Sequence, residues 1–358
     1  MMRGRGAVHP RVRSKDNMFF SKFLRSKIEA KNILVHAKDH FFGESVLQIP
    51  FFRSLRSRFP NAKITLGISF GKSPYRASLA SIAGQYVNDV EENLQICKSY
   101  RNALPFTQIP LSDKFFDLII DLEKQWWRTL AVRRIPHKIF ISASRHFLFS
   151  DRIPNIFRRP SRLIDQHFML LQATHTKEHS AAEPNWLNSE LRNWASNELP
   201  KGHRYIGLAV GSGDPRKTWP LENFLRLAAL LINKGLKPVF LLGPSEGSVM
   251  NRIKKEFPNI RIPGWENGKS PSPPELVALS EQLHIFISND SGMAHLLAVA
   301  KTPHITLWGF TNANKYRHSV AVPHRQILAD EYGSADIRTI PLQKVIDTMD
   351  ELLVEIED

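Results

Sequence analysis

Three short stretches in the second half of the chain combine glycine, hydroxyl and charge as a phosphate site requires. Gly211-Ser212-Gly213-Asp214-Pro215-Arg216-Lys217-Thr218-Trp219-Pro220 offers glycines that let backbone approach a ligand, with positive charge from Arg216 and Lys217. A plain surface loop before a Pro-started helix has the same composition. Gly243-Pro244-Ser245-Glu246-Gly247 sets a carboxylate in a tight turn and also matches the G-x-S-x-G nucleophile elbow. In Ser288-Asn289-Asp290-Ser291-Gly292-Met293-Ala294-His295, Ser291 and Gly292 open a helix whose free N–H groups and dipole attract an anion. Asp290 is a functional carboxylate or an N-cap. His295, one turn on, faces the same end or serves only the packing.

Alternating strands and helices must position these turns. Ile33-Leu34-Val35 reads as a buried strand, and Val46, Ile49, Phe52, Leu55 and Phe59 recur at helical spacing up to Pro60. Residues 63–68 form the next strand, and strand, helix, strand at this spacing implies a parallel sheet. Further strands are expected at 116–121 and 138–141. A second alternation places strands at 205–210, 238–242, 284–288 and 303–308. Its helices fall at 221–234, closed by Gly235, at 292–300 and at 342–356. The charged, Pro-containing stretch 176–202 marks a boundary. All three turns follow strands, so they share the carboxyl rim of one sheet, where ligands of open α/β sheets bind.

The string Ser288–Leu296, with Ala300-Lys301-Thr302-Pro303 and Trp308-Gly309, resembles the signature of glycosyltransferase family 9, which contains the ADP-heptose:lipopolysaccharide heptosyltransferases. Lys217-Thr218-Trp219-Pro220 is similar to the family's K-x-W-P element, and Leu242-Gly243-Pro244-Ser245-Glu246 to its G-x-x-E turn. Phe42–Pro50 matches its G-D-x-x-L-x-x-P element, and Phe116–Leu122 its F-D-x-x-x-D-L strand. The likeness runs in order from about residue 32 to the end. It implies a GT-B fold: two Rossmann-like, doubly wound parallel-sheet domains facing across a cleft. The expected divisions are a basic arm (1–31), an acceptor domain (32–185), a linker (186–202), a nucleotide-sugar domain (203–334) and a final helix (335–358) packing back on the first domain.

The resemblance further implies an inverting transfer of a sugar, a heptose from ADP-heptose, to a lipopolysaccharide core or related anionic glycan. Glu44 stands where the family has its Asp base, with His40 in reserve; Lys38 lies nearby, where the family's usual Arg is missing. Lys217, Asp290, Ser212, Arg216, Ser291, Gly292 and His295 would serve the departing diphosphate, and Glu246 the ribose. No D-x-D motif is evident, so no metal or other cofactor is expected. A divergent member using another donor, or only weakly active, fits the same residues.

The net charge of +15 is concentrated. Residues 1–31 hold nine Lys/Arg against Asp16 and Glu29, and 124–162 hold ten against Asp151. Such runs are solvated faces or contacts for an anionic partner. With Trp126 and Trp127, the second run suits an acidic glycolipid acceptor; an amphipathic segment at 18–28 suits an anionic membrane surface. No apolar run of ~18 residues appears, and no secretory signal is recognisable. The expectation is a cytoplasmic protein, peripheral on the inner membrane. One cysteine, Cys97, excludes an internal disulfide framework. A hydrolase using Ser245 lacks an upstream oxyanion motif, and no nucleic-acid-binding signature accompanies the charge. The Gly264–Ser270 string is one residue short of a P-loop.

Overall fold

The computed structural model describes residues 26–96, 98–154, 158–177, 183–265, 269–317 and 322–357. Nearly all of the basic arm, with the 18–25 portion of its amphipathic segment, lies outside these residues, as do Cys97 and part of the P-loop-like string.

Among the described residues, ten strands form two parallel sheets. The first contains β1 (Asn32–Ala37), β2 (Lys63–Ile68), β3 (Asp89–Glu91), β4 (Phe116–Asp121) and β5 (His137–Ser142), in the order β3-β2-β1-β4-β5. The second contains β6 (Tyr205–Ala209), β7 (Lys237–Phe240), β8 (Ile285–Asn289), β9 (His304–Trp308) and β10 (His324–Leu328), in the order β10-β9-β8-β6-β7. The central strands are buried almost throughout, which explains their unbroken apolar runs. The connecting helices are α1 (Phe42–Arg58), α2 (Ala80–Ala83), α3 (Trp126–Arg133), α4 (Leu163–Gln172), α5 (Ser189–Glu198), α6 (Leu221–Asn233), α7 (Gly247–Glu256), α8 (Pro273–Ser280), α9 (Gly292–Leu297), α10 (Ala313–Tyr316) and α11 (Leu342–Glu355).

Each sheet has one point where the chain reverses its direction of growth, between β1 and β4 in the first and between β6 and β8 in the second. Crevices beyond the carboxyl ends of such strand pairs are where doubly wound sheets hold ligands. The Phe116–Asp121 strand fixes the first crevice through its two aspartates. Asp117 accepts from Lys31 and Asn32 N–H at 2.8 and 2.9 Å, anchoring the start of β1. At the other end, buried Asp121 pairs with His36 at 2.9 Å and accepts from Ser142 at 3.2 Å, while the second His36 ring nitrogen meets Ser69 at 2.9 Å. Four polar side chains thus satisfy one another inside the core and tie the ends of four strands together.

The domains are joined by packing as well as by the chain. One apolar cluster contains Phe52 and Leu55 of α1, Ala195 of α5, Leu276 and Leu279 of α8, and Leu296 and Leu297 of α9. The stretch expected as linker is therefore largely the helix α5, which packs on α8 of the second domain and ties Arg192 to Glu281 at 2.9 Å. The final helix departs from expectation. Val345, Met349, Leu352 and Leu353 of α11 join the core of the second domain itself, and the helix lies on α6 and β10. Lys234–Asp350, Arg204–Glu357 and Arg325–Glu355 reinforce that seat. The apolar stripe of α11 is satisfied within its own domain, and the domains meet instead through α1 against α9.

Candidate active site

The loop after β6 is fixed by Asn289, the fully buried last residue of β8. Its side-chain amide donates to Val210 O at 2.7 Å, and its oxygen accepts from Trp219 N–H at 3.0 Å. Trp219 is itself buried, and its indole N–H donates to Ile340 O at 2.9 Å. With both ends of the loop held, Lys217 turns inward and its ammonium lies 2.9 Å from Asp290 Oδ2. The Asp290 side chain is 4% exposed and that of Lys217 26%, so the pair is not sealed from solvent. Ser291 Oγ accepts from Ala294 N–H at 3.4 Å, making Ser291, not Asp290, the N-cap of α9. Lys217, Asp290, Ser291 and Gly292 therefore share one rim, as the sequence requires.

Glu246 folds back into the same crevice. Its Oε2 accepts from Gly243 N–H at 3.0 Å, and a β-carbon on Gly211 would lie 1.5 Å from its Oε1. With Glu246 in this position only glycine leaves room, so Gly211 is the space into which Glu246 reaches. Burial raises the Glu246 pKa, partly offset by the Gly243 N–H. Ser212 Oγ accepts from Asp214 N–H at 3.3 Å. Arg216 stands farther out: its guanidinium pairs with Asp214 at 2.7 Å and lies 4.8 Å from the Phe310 ring centre.

The first domain meets this rim through the start of α1. A β-carbon on Gly292 would lie 2.6 Å from Phe42 Cδ1 and 3.2 Å from Gly43 N; one on Gly43 would lie 3.0 Å from His295 Cδ2. Two glycines thus let two helix starts touch. Like partial charges are brought together there, and Glu44 in the first turn of α1 and Asp290 just before α9 offset them.

Glu44 itself is held among cations. Burial raises its pKa, while Lys315, Lys124 and the Tyr316 hydroxyl pull the other way. Lys315 and Tyr316 belong to α10 of the second domain, so part of the field on the carboxylate comes from across the cleft; the Lys315 ammonium also donates to Tyr316 Oη. The Lys124 pKa falls to about 8 through desolvation and the neighbouring Arg159 and Lys315.

His40 is buried and serves the framework. Its Nε2–H donates to Gln48 Oε1 at 3.1 Å, and its Nδ1 accepts from Ser73 Oγ at 2.7 Å. Its pKa drops to about 4, chiefly by burial, so the ring is neutral. His295 is likewise lowered to about 4 by burial. Lys38 is half-exposed and pairs with Asp39 at 2.6 Å. Ser245 is an exposed turn residue, and no hydrogen bond described for it reaches a histidine.

Sequence reasoning did not single out Lys124, Arg159, Lys315 or Tyr316. Lys124 and Arg159 carried a signal, both lying in the basic run 124–162, and Lys124 also follows β4 at the switch point of its sheet. The four strands flanking the two switch points thus lead into Glu44, Lys124, Lys217 and Asp290.

Two nucleotide-type domains whose carboxyl rims face one another define the GT-B class of glycosyltransferases. Residues 110–344 match glycosyltransferase family 9 (heptosyltransferase), and the chain belongs to that family. It is 25% identical over 290 residues to lipopolysaccharide heptosyltransferase 3 of Escherichia coli K12, covering 76% of this chain and 81% of that one. It is 26% identical over 144 residues to lipooligosaccharide heptosyltransferase 2 of Haemophilus influenzae, covering 38% and 40%. Among solved structures, a family 9 glycosyltransferase from Veillonella parvula superposes with a TM-score of 0.63 at 20% identity, covering 93% and 99%. The E. coli ADP-heptose LPS heptosyltransferase II gives 0.62 at 17%, covering 91% and 100%. E. coli heptosyltransferase WaaC, solved with ADP-2-deoxy-2-fluoro heptose, gives 0.60 at 16%, covering 89% and 99%.

Proposed function

We propose that this glycosyltransferase moves a heptose from ADP-heptose onto a hydroxyl of a lipopolysaccharide core, with inversion at the anomeric carbon. The observation that carries the reading is the Gly43–Gly292 contact, which brings the Glu44 segment against the start of α9 beside the Lys217–Asp290 pair. A base and a diphosphate cradle then share one cleft. The relatives' names support heptose and lipopolysaccharide as the chemistry.

In this mechanism the acceptor oxygen attacks the anomeric carbon as the bond from that carbon to the diphosphate oxygen breaks. Glu44 takes the acceptor proton, and its raised pKa suits a base working nearer neutrality. Negative charge develops on the leaving nucleoside diphosphate. Lys217 meets it with an ammonium, and the Ser291 and Gly292 N–H groups add hydrogen bonds. Asp290 positions Lys217. Ser212 and Arg216 extend the phosphate contact, and Glu246 takes the ribose hydroxyls. Lys38 lies near the acceptor side, buried His295 supports the diphosphate end from behind Gly43, and His40 keeps the β1–α1 turn in shape. Lysine and backbone amides supply the charge neutralisation, so no metal is needed. The acceptor, by this reading, is an anionic glycolipid presented at a membrane surface.

The test is ADP release on incubation with ADP-heptose and a heptose-deficient lipopolysaccharide, with and without EDTA, followed by NMR assignment of the product's anomeric configuration. Acceptor-dependent release, insensitive to EDTA, with an inverted product is expected. Turnover of a UDP- or GDP-sugar in preference to ADP-heptose would overturn the donor assignment, and a retained configuration the mechanism.

A further inference from the structure

One face of the first domain carries apolar side chains out into solvent. Phe106 is 95% exposed, Tyr100 68%, Leu104 53% and Trp126, at the start of α3, 45%. Single exposed apolar residues are ordinary, but a cluster of them on one surface marks an interaction site. These four form one ridge: the turn Tyr100–Ala103 packs on α3, with the Tyr100 ring 4.3 Å from that of Trp127.

The ridge is held rigid. Arg134 donates to Asn102 O and to Thr107 Oγ1 at 2.7 Å each, to Pro105 O at 3.2 Å, and to Thr107 O. The Asn102 amide donates to Ile96 O at 2.8 Å and Gln95 O at 3.2 Å. These bonds fix the loop backbone while leaving Leu104 and Phe106 bare, the reverse of what burial alone would select.

Its charge is one-sided. Residues 93–112 and 124–138 contain Lys98, Arg101, Lys124, Arg128, Arg133, Arg134 and Lys138, and no Asp or Glu. Arg128 and Arg133 are paired with Glu123 and Asp151 from outside these stretches. Among the described residues, the hydrogen bonds of Arg134 go to neutral oxygens. Apolar tips in a basic surround match the interface of a bilayer with anionic headgroups. Stacking of Trp127 between Tyr100 and the Arg128 guanidinium, 4.9 Å away, leaves that ring occupied, and the aliphatic Leu104 beside Phe106 suits an acyl boundary better than a base.

We infer that this ridge docks the enzyme on an anionic lipid bilayer, with Leu104 and Phe106 entering the interface and Lys98 and Arg101 meeting headgroup phosphates. The inference rests on the acceptor being a membrane-anchored glycolipid. The ridge starts two residues from Lys124, one of the cations facing Glu44, so docking there brings a lipid-linked acceptor to the cleft mouth.

The experiment is flotation of the full chain with vesicles of phosphatidylcholine alone or with phosphatidylglycerol, in parallel with transfer to a lipid-free core oligosaccharide. Wild type should bind the anionic vesicles, more weakly as salt rises. Leu104→Ser/Phe106→Ser should lower the partition coefficient at least about tenfold, and Arg101→Glu roughly tenfold. All variants should keep wild-type transfer to the soluble acceptor. Unchanged vesicle binding by both variants would overturn the proposal, as would wild-type binding to single-stranded RNA in preference to vesicles. Loss of soluble-acceptor transfer in the variants would assign the ridge to the acceptor cleft instead. Absence of any transfer by wild type, with vesicle binding as expected, would count against the proposed function and leave the docking surface standing.

Discussion

Replacing Lys217 by methionine removes an ammonium 2.9 Å from a carboxylate that is 4% exposed. The loss has two separable parts. Stranding a fully buried charge costs about 3–5 kcal/mol. Lys217 is a quarter exposed, so water enters the gap and the expected cost falls to roughly 1–2 kcal/mol. That corresponds to a drop in Tm of about 2–5 °C. The second part is chemical: one well-aimed donor to developing negative charge is worth about 10²–10³ in rate. Lys217→Met should therefore lose both stability and turnover. Adding Asp290→Asn removes the stranded carboxylate, so the double variant should regain most of the melting temperature and none of the rate. Melting curves and ADP-release kcat on the three proteins give the complete cycle. Recovery of turnover together with stability in the double variant would refute the reasoning, because Lys217 would then serve only to neutralise Asp290.

The pH profile follows from the surroundings of Glu44. The carboxylate is the active form, so kcat/KM should rise as pH climbs through its elevated pKa, and Lys315→Ala, which removes the largest opposing charge, should move that limb to higher pH. An unmoved limb would dissociate Lys315 from the base. Gly292→Ala forces a methyl group 2.6 Å from Phe42 Cδ1, so it should cut kcat at least about tenfold with the circular dichroism spectrum unchanged. Phe42→Ala should restore part of the loss, and failure of that rescue would locate the defect elsewhere. Gly211→Ala should displace Glu246 and weaken nucleotide binding as much as Glu246→Ala does; titration calorimetry with ADP would show additive losses in the double variant if the two do not act together.

Much of the architecture was legible because local rules and burial agreed. Strands buried on both faces read as apolar runs, and turns ending them carried Gly, Pro and charge. The short edge strands β3 and β10 were not legible, since β3 has three half-buried or exposed residues and β10 only Ile327 deeply buried. The seat of α11 was misjudged for a related reason. An amphipathic pattern states that a helix has a partner and not which one, and Val345 and Leu352 found theirs inside their own domain.

The sequence by itself determined the cluster proposed to hold the donor: Lys217, Asp290, Ser291 and Gly292 sit in turns that follow strands of one parallel sheet, and strand direction alone puts those turns on one rim. Tertiary structure alone decided what surrounds Glu44. Lys124, Lys315 and Tyr316 come from strand ends and a short helix of different domains, and no spacing along a chain encodes charges that meet only when two sheets face each other. The electrostatics of Glu44 belong to the assembled cleft, because desolvation and attraction to charges of the facing domain exist only once both walls are in place.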